Sequence, residues 1–87
     1  MPIAQIIEMP GLTVEAYERA FALIHPGGAW PDGQLGHVAG PTDDGFRVID
    51  VWESREAFER FERDVLARLG FSGLPRIEFP VHNLVSV

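Results

Sequence analysis

The chain has 87 residues and a mass of 9.7 kDa, with thirteen acidic side chains against seven basic ones, a formal charge of −6 and a pI near 4.8. That length holds one domain, residues 1–87, and the lack of Cys excludes disulfides, thiolate zinc sites, iron–sulfur clusters and a cysteine nucleophile. An acidic chain whose bases are all scattered Arg excludes nucleic acid and anionic membranes as partners, and no stretch nears the ~20 apolar residues of a membrane span.

Residues 2–9 (PIAQIIEM) are rich in β-branched side chains and end at Pro10-Gly11, which predicts a strand and a turn. Thr13 is the expected N-cap of a first helix, with Glu15 near its positive end. Val14, Tyr17, Phe21 and Ile24 then recur at a spacing that paints one helical face. His25-Pro26-Gly27-Gly28 ends the helix, because a residue before proline is biased out of the α region. His25 reads as a helix-end residue suited to the negative end of the dipole. Gly27-Gly28 is no phosphate cradle, since it follows a helix rather than preceding one. Residues 26–34 are a loop, with Trp30 its one large apolar side chain.

Residues 35–40 and 46–53 predict two strands joined by the turn Pro41-Thr42-Asp43-Asp44-Gly45. Ser54 is the expected cap of a second helix, buried along Phe58, Phe61, Val65 and Leu69. Glu56–Arg60, Glu59–Arg63 and Asp64–Arg68 lie on its solvent side, pairs that each contribute about 0.3 kcal/mol. Gly70 is the expected stop, 71–75 are loop, and 76–86 predict a last strand. Pro80 cannot donate to a ladder, which sends that strand to a sheet edge or a bulge.

The order βαββαβ predicts a ferredoxin-like α+β fold: a four-stranded antiparallel sheet with both helices on one face. Neither face of the third or fourth strand is cleanly polar: Arg47, Ile49 and Val51 oppose Phe46, Val48, Asp50 and Trp52. Helices cover only one face, and a chain this small has a marginal core. The chain is therefore expected to form a homodimer through the open sheet face. Three scattered His give no recognisable metal cage, and no metal or cofactor is expected. The start, Met-Pro-Ile-Ala-Gln, has no signal-peptide pattern, so the expected location is the cytoplasm.

Residues 45–61 (GFRVIDVWESREAFERF) resemble the third strand and second helix of the antibiotic biosynthesis monooxygenase-like, dimeric α+β barrel superfamily. Pro10-Gly11, Tyr17, the His37-Val38-Ala39-Gly40 strand and the Phe79–Leu84 ending are similar to the same group. The resemblance implies a pocket between sheet and helices in each subunit, and two sheets closing a barrel across the dimer. Cofactor-independent quinone-forming monooxygenases, haem-degrading enzymes, polyketide cyclases and lactone isomerases all belong to the superfamily. Trp52 matches a functional position of the monooxygenase branch. The Asn that branch places four residues earlier is Val48 here, and the Tyr six residues later is Phe58. The His of the haem-degrading branch has no counterpart in 54–69.

His37 and Asp50 are the candidate catalytic pair. If Pro41 stands opposite Phe46, His37 lies across from Asp50 and Leu35 across from Trp52, with Cβ atoms ~5 Å apart. A His held by a carboxylate serves as a general base near neutral pH; a one-residue slip would set it against Ile49 and dissolve the pair. A structural hydrogen bond is the competing reading. Trp52, Tyr17, Phe21 and Phe58 are the candidate substrate-binding residues for a small apolar or aromatic ligand, with Trp52 stacking on it. Trp30 is read as a lid or part of the dimer seam. His82 and Asn83 alternate on the last strand as candidate dimer contacts. Two functions remain open: cofactor-free oxygenation or cyclisation begun by proton abstraction, or a non-catalytic small-molecule-binding dimer.

Overall fold

The computed structural model describes residues 1–87, in the order β1 (Ile3–Pro10), α1 (Val14–Ile24), β2 (Gln34–Thr42), β3 (Gly45–Trp52), α2 (Arg55–Phe61) and β4 (Arg76–Pro80). Hydroxyls start both helices: Thr13 Oγ1 accepts from the Ala16 N–H at 3.1 Å, and Ser54 Oγ from the Ala57 N–H at 3.1 Å. Each cap contributes about 1 kcal/mol. The four strands are antiparallel in the order β2-β3-β1-β4, the ferredoxin-like arrangement that the element order predicts. No helix is long and apolar enough to cross a membrane.

Ile3, Ile7, Phe46, Val48 and Trp52 alternate along β1 and β3 and are buried on the helix side. The core is lopsided. Trp52, Ile3, Ala57 and Phe58 pack tightly under α2, with Phe61 and Leu66 against them. Truncating a buried Trp or Phe of this kind costs about 3–5 kcal/mol. Helix α1 has no fully buried residue, and Val14, assigned to its apolar face by spacing, is 49% exposed. Space remains between α1 and the sheet, and the site lies there.

Several elements differ from expectation for local reasons. The strand expected over 76–86 ends at Pro80, whose missing N–H stops the ladder; a lone bond from the Val81 N–H to the Pro2 carbonyl follows at 2.9 Å. As expected of a Pro-bearing strand, β4 is an edge, but His82 and Asn83 lie past it and are exposed. In β2 a bulge at Leu35 puts Gln34, not Leu35, opposite Trp52 and leaves Leu35 50% exposed. The second helix is not uniform either: a π-helical turn spans Glu62–Leu66 and a 3-10 turn Ala67–Leu69. The wider turn rotates the apolar stripe, so Leu66 rather than Val65 packs onto the core.

The far side of the sheet carries an apolar row across all strands, Val38, Ile49, Ile6 and Ile77. Val38 and Ile77 are each 64% exposed, with Phe79 beside them at 47%.

Candidate active site

A cavity of about 90 Å³ lies between α1, the helix side of the sheet and the segment that follows α2. Its wall is largely apolar: Ile7, Met9 and Val48 from the sheet, Ala20, Phe21 and Ile24 from α1, and Phe58, Phe61, Leu66, Phe71 and Leu74 from the other side. The polar groups in the wall are Tyr17, His25, Gln34, His37 and Asp50. In so apolar a wall, each polar group needs a partner or a purpose.

Most of them form one chain. The hairpin pairs Pro41 with Phe46, the register on which the pair depends, and so sets His37 opposite Asp50. Nδ1 of His37 lies 2.6 Å from Asp50 Oδ1, and Nε2 lies 2.6 Å from the Tyr17 hydroxyl. An ionised carboxylate only accepts, so Nδ1–H donates to Asp50 and Nε2 accepts from the Tyr17 O–H. Burial first, then the charges of Glu18 and Asp50, push the Tyr17 phenol above its ordinary 10.0, which keeps it a donor. Phe46 fixes the Tyr17 ring by stacking at 4.8 Å between centroids. The Gln34 amide also donates to Asp50 Oδ1, at 2.9 Å. Gln34 is placed by Gly33 (φ +88), where a Cβ would stand 2.6 Å from that of Ala57. With side chains 12% and 14% exposed, His37 and Asp50 stand at the edge of a nearly dry site.

A second polar pair stands beside the relay on the same face of the sheet. Gln5, fully buried, is the cross-strand neighbour of both Asp50 and Glu78. Its amide donates to Glu78 Oε1 at 3.1 Å. Burial alone would raise the Glu78 carboxyl; the Gln5 amide and the guanidiniums of Arg55 and Arg76 overcome it and hold the group below its ordinary value.

His25 is the residue that sequence reasoning undervalued. Only 7% exposed, it donates from Nδ1 to the Phe21 carbonyl at 3.2 Å and meets the Trp30 ring at 4.5 Å. Burial lowers its pKa below the ordinary 6.5, opposed by the Phe21 carbonyl and reinforced by His37. The imidazole rings of His25 and His37 come within 6.2 Å, although twelve positions separate them in the sequence. The only sequence signal for His25 is its place before Pro26, which turns the chain back over the end of α1.

Of the expected substrate-binding residues, Tyr17, Phe21 and Phe58 line the cavity together with His37 and Asp50. Trp52 stands behind them, fully buried, with its ring 5.8 Å from Phe58 and 5.1 Å from Phe61. Trp30 is 52% exposed and packs on His25 and Phe21 at the rim.

No family model and no curated protein matches the chain. Solved structures do. The cofactor-independent oxygenase SnoaB of Streptomyces nogalater aligns at a TM-score of 0.67 and 18% identity, over 97% of this chain and 96% of that one. A putative antibiotic biosynthesis monooxygenase of Chloroflexus aurantiacus aligns at 0.67 and 17%, over 99% and 98%. A heme-degrading protein of Mycobacterium tuberculosis aligns at 0.61 and 26%, over 99% and 100%. The residues present do not fit a haem: an apolar cavity of roughly 150 Å³ holds one benzene, and this one is about 90 Å³. No Arg lines it to pair with propionates, and the Nε2 of His37 is taken by Tyr17. What these structures share with the chain is a full-length architecture: it has the fold of the antibiotic biosynthesis monooxygenase-like superfamily.

Proposed function

We propose that the protein is a cytoplasmic homodimer that binds a small aromatic phenol or enol in this cavity and removes its proton without a cofactor. The observation that carries the reading is the Tyr17–His37–Asp50 chain, two hydrogen bonds of 2.6 Å set in an apolar wall. The ligand hydroxyl gives its proton to Tyr17 Oη as the Tyr17 proton passes to His37 Nε2. A phenolate, a neutral tyrosine and an imidazolium paired with Asp50 result. The phenolate is electron-rich enough to react with dioxygen or to close a ring. Asp50 orients His37, Phe21 and Phe58 hold the ring, and Trp52 backs Phe58. At about 90 Å³ the cavity is smaller than the roughly 150 Å³ that holds one benzene, so the substrate has one ring at most and enters as the half-exposed Trp30 at the rim gives way. The Val38–Ile49–Ile6–Ile77 row, exposed at Val38 and Ile77 and half-buried between them, supports the dimer: it is the apolar face that the helices leave open.

The test is oxygen uptake on 1,2,4-trihydroxybenzene by wild type, His37→Ala, Asp50→Asn and Tyr17→Phe. A positioned base contributes on the order of 10²-fold or more, so each variant loses rate on that scale. Equal rates in all four proteins overturn the reading. A second reading, a binding dimer without a reaction, is favoured by one feature: the relay is already satisfied within the protein, with Nε2 of His37 occupied. Tight binding of the phenol without turnover is its signature.

A further inference from the structure

Gln34 enters the site through an irregularity of the chain. In a regular strand, residues three apart face opposite sides of the sheet, which would point Gln34 and His37 away from each other. The bulge at Leu35 adds one residue between them and returns Gln34 to the helix side, opposite Trp52. The backbone there is held: the Glu53 N–H donates to the Gly33 carbonyl at 2.8 Å, and the Gln34 N–H to the Pro31 carbonyl at 3.2 Å. The side-chain amide then meets an oxygen already in use. Asp50 Oδ1 accepts from Gln34 Nε2 at 2.9 Å and from His37 Nδ1 at 2.6 Å.

We propose that Gln34 is the positioning residue of the relay: it keeps Asp50 Oδ1 turned to His37 and thereby fixes the imidazole tautomer with a bare Nε2. This rests on the reading that the relay removes a proton, because only a bare Nε2 can take one. The Tyr17 hydroxyl does not fix the tautomer, since a hydroxyl donates or accepts as its partner requires. The choice falls to the carboxylate, which only accepts. Asp50 has polar cross-strand neighbours on both sides, His37 on β2 and Gln5 on β1. A second donor on β2 decides which way the carboxylate turns.

NMR at ¹⁵N of the histidine rings, on the full chain in wild type and Gln34→Met, tests this. Met keeps the length and apolar stem of the side chain but has no N–H to donate. In the wild type, His37 shows one protonated and one bare nitrogen. In Gln34→Met the two signals move towards each other as the tautomers exchange. Averaged signals in the wild type, or wild-type signals in a folded Gln34→Met, overturn the proposal. Oxygen uptake on 1,2,4-trihydroxybenzene supplies the second readout. The variant loses a hydrogen bond to a charged group, so kcat falls about tenfold or more; a loss confined to KM overturns the proposal. No turnover by the wild type overturns proton abstraction alone, and the ring signals still decide Gln34. Should Gln34→Met not fold, a pH titration of the wild type decides. The Gln34 side-chain amide signal moves over the same pH interval as the His37 ring, because both donate to one oxygen; independent movement overturns the assignment.

Discussion

Tyr17 and His25 sit on the same helical segment eight residues apart, and burial acts on them in opposite senses. It keeps the phenol protonated and the imidazole neutral, so each holds the uncharged form that an apolar wall tolerates. For His25 the stability consequence has a definite sign. Its folded pKa lies below the ordinary 6.5, so the unfolded chain binds the proton more readily. This contribution is complete above about 6.5 and declines as pH falls from there through the lowered value. The groups facing His25 are His37, which opposes its protonation, and Asp50 and Gln34, which favour it. We expect the urea midpoint to drop between pH 7 and 5 and that slope to flatten in His25→Phe; an unchanged slope would contradict the burial argument. At this scale the His37–Asp50 pair was legible as one of two registers of a short hairpin, and the pairing of Pro41 with Phe46 selects it over the slipped one. His25, Gln34 and Gln5 were not. Their burial comes from a loop folding back, a bulge and a neighbouring strand, none of which leaves a period in the sequence.

Elements were readable where period and caps agreed, as in α1 and the β2–β3 hairpin. They were misread where one residue is inserted. The bulge at Leu35 and the π-helical turn at Glu62–Leu66 each add one residue to a regular repeat and displace a side chain that the repeat would have buried. Both insertions border the cavity: one brings Gln34 into it, the other Leu66. The hairpin end is held differently, by absence of a side chain. A Cβ at Gly45 would lie 2.3 Å from the Met9 carbonyl oxygen and 2.7 Å from the Gly11 nitrogen, beside a Gly11–Asp44 backbone bond of 2.6 Å. Gly45→Ala should therefore destabilise the protein by about 1–3 kcal/mol. Gly40→Ala, with open space around it, should stay within about 0.5 kcal/mol. Chemical denaturation of the two variants compares them directly, and equal stabilities would refute the clash.

At the scale of the molecule, one sheet has two apolar faces and one layer of helices. The proposed dimer covers the second face, with the Arg47–Glu8 ion pair at its edge. Placing a carboxylate at Val38 and at Ile77 puts charge into that layer without touching the cavity. Sedimentation should give a dimer for the wild type and a monomer for the doubly substituted chain (Val38→Glu, Ile77→Glu). A wild type that sediments as a monomer at micromolar concentration would remove the dimer. The sequence conveyed that a second face needs covering, because both sets of alternating positions are apolar.

The polar line His37–Asp50–Gln5–Glu78 crosses the sheet with one member on each strand, and it bears on how the sheet assembles. If any strand slid by one residue, its member would swing to the outer layer and break the His37–Asp50 or the Gln5–Glu78 bond, at about 1–3 kcal/mol for each lost partner. The line is thus an alignment key, cut across all strands and accepting only the native registration. Chemistry and alignment then reside in the same atoms, which governs how variants are to be made. An amide at position 50 preserves the shape of the key while altering its charge. An apolar residue there would blunt the key itself and let an assembly fault pass for a lost reaction.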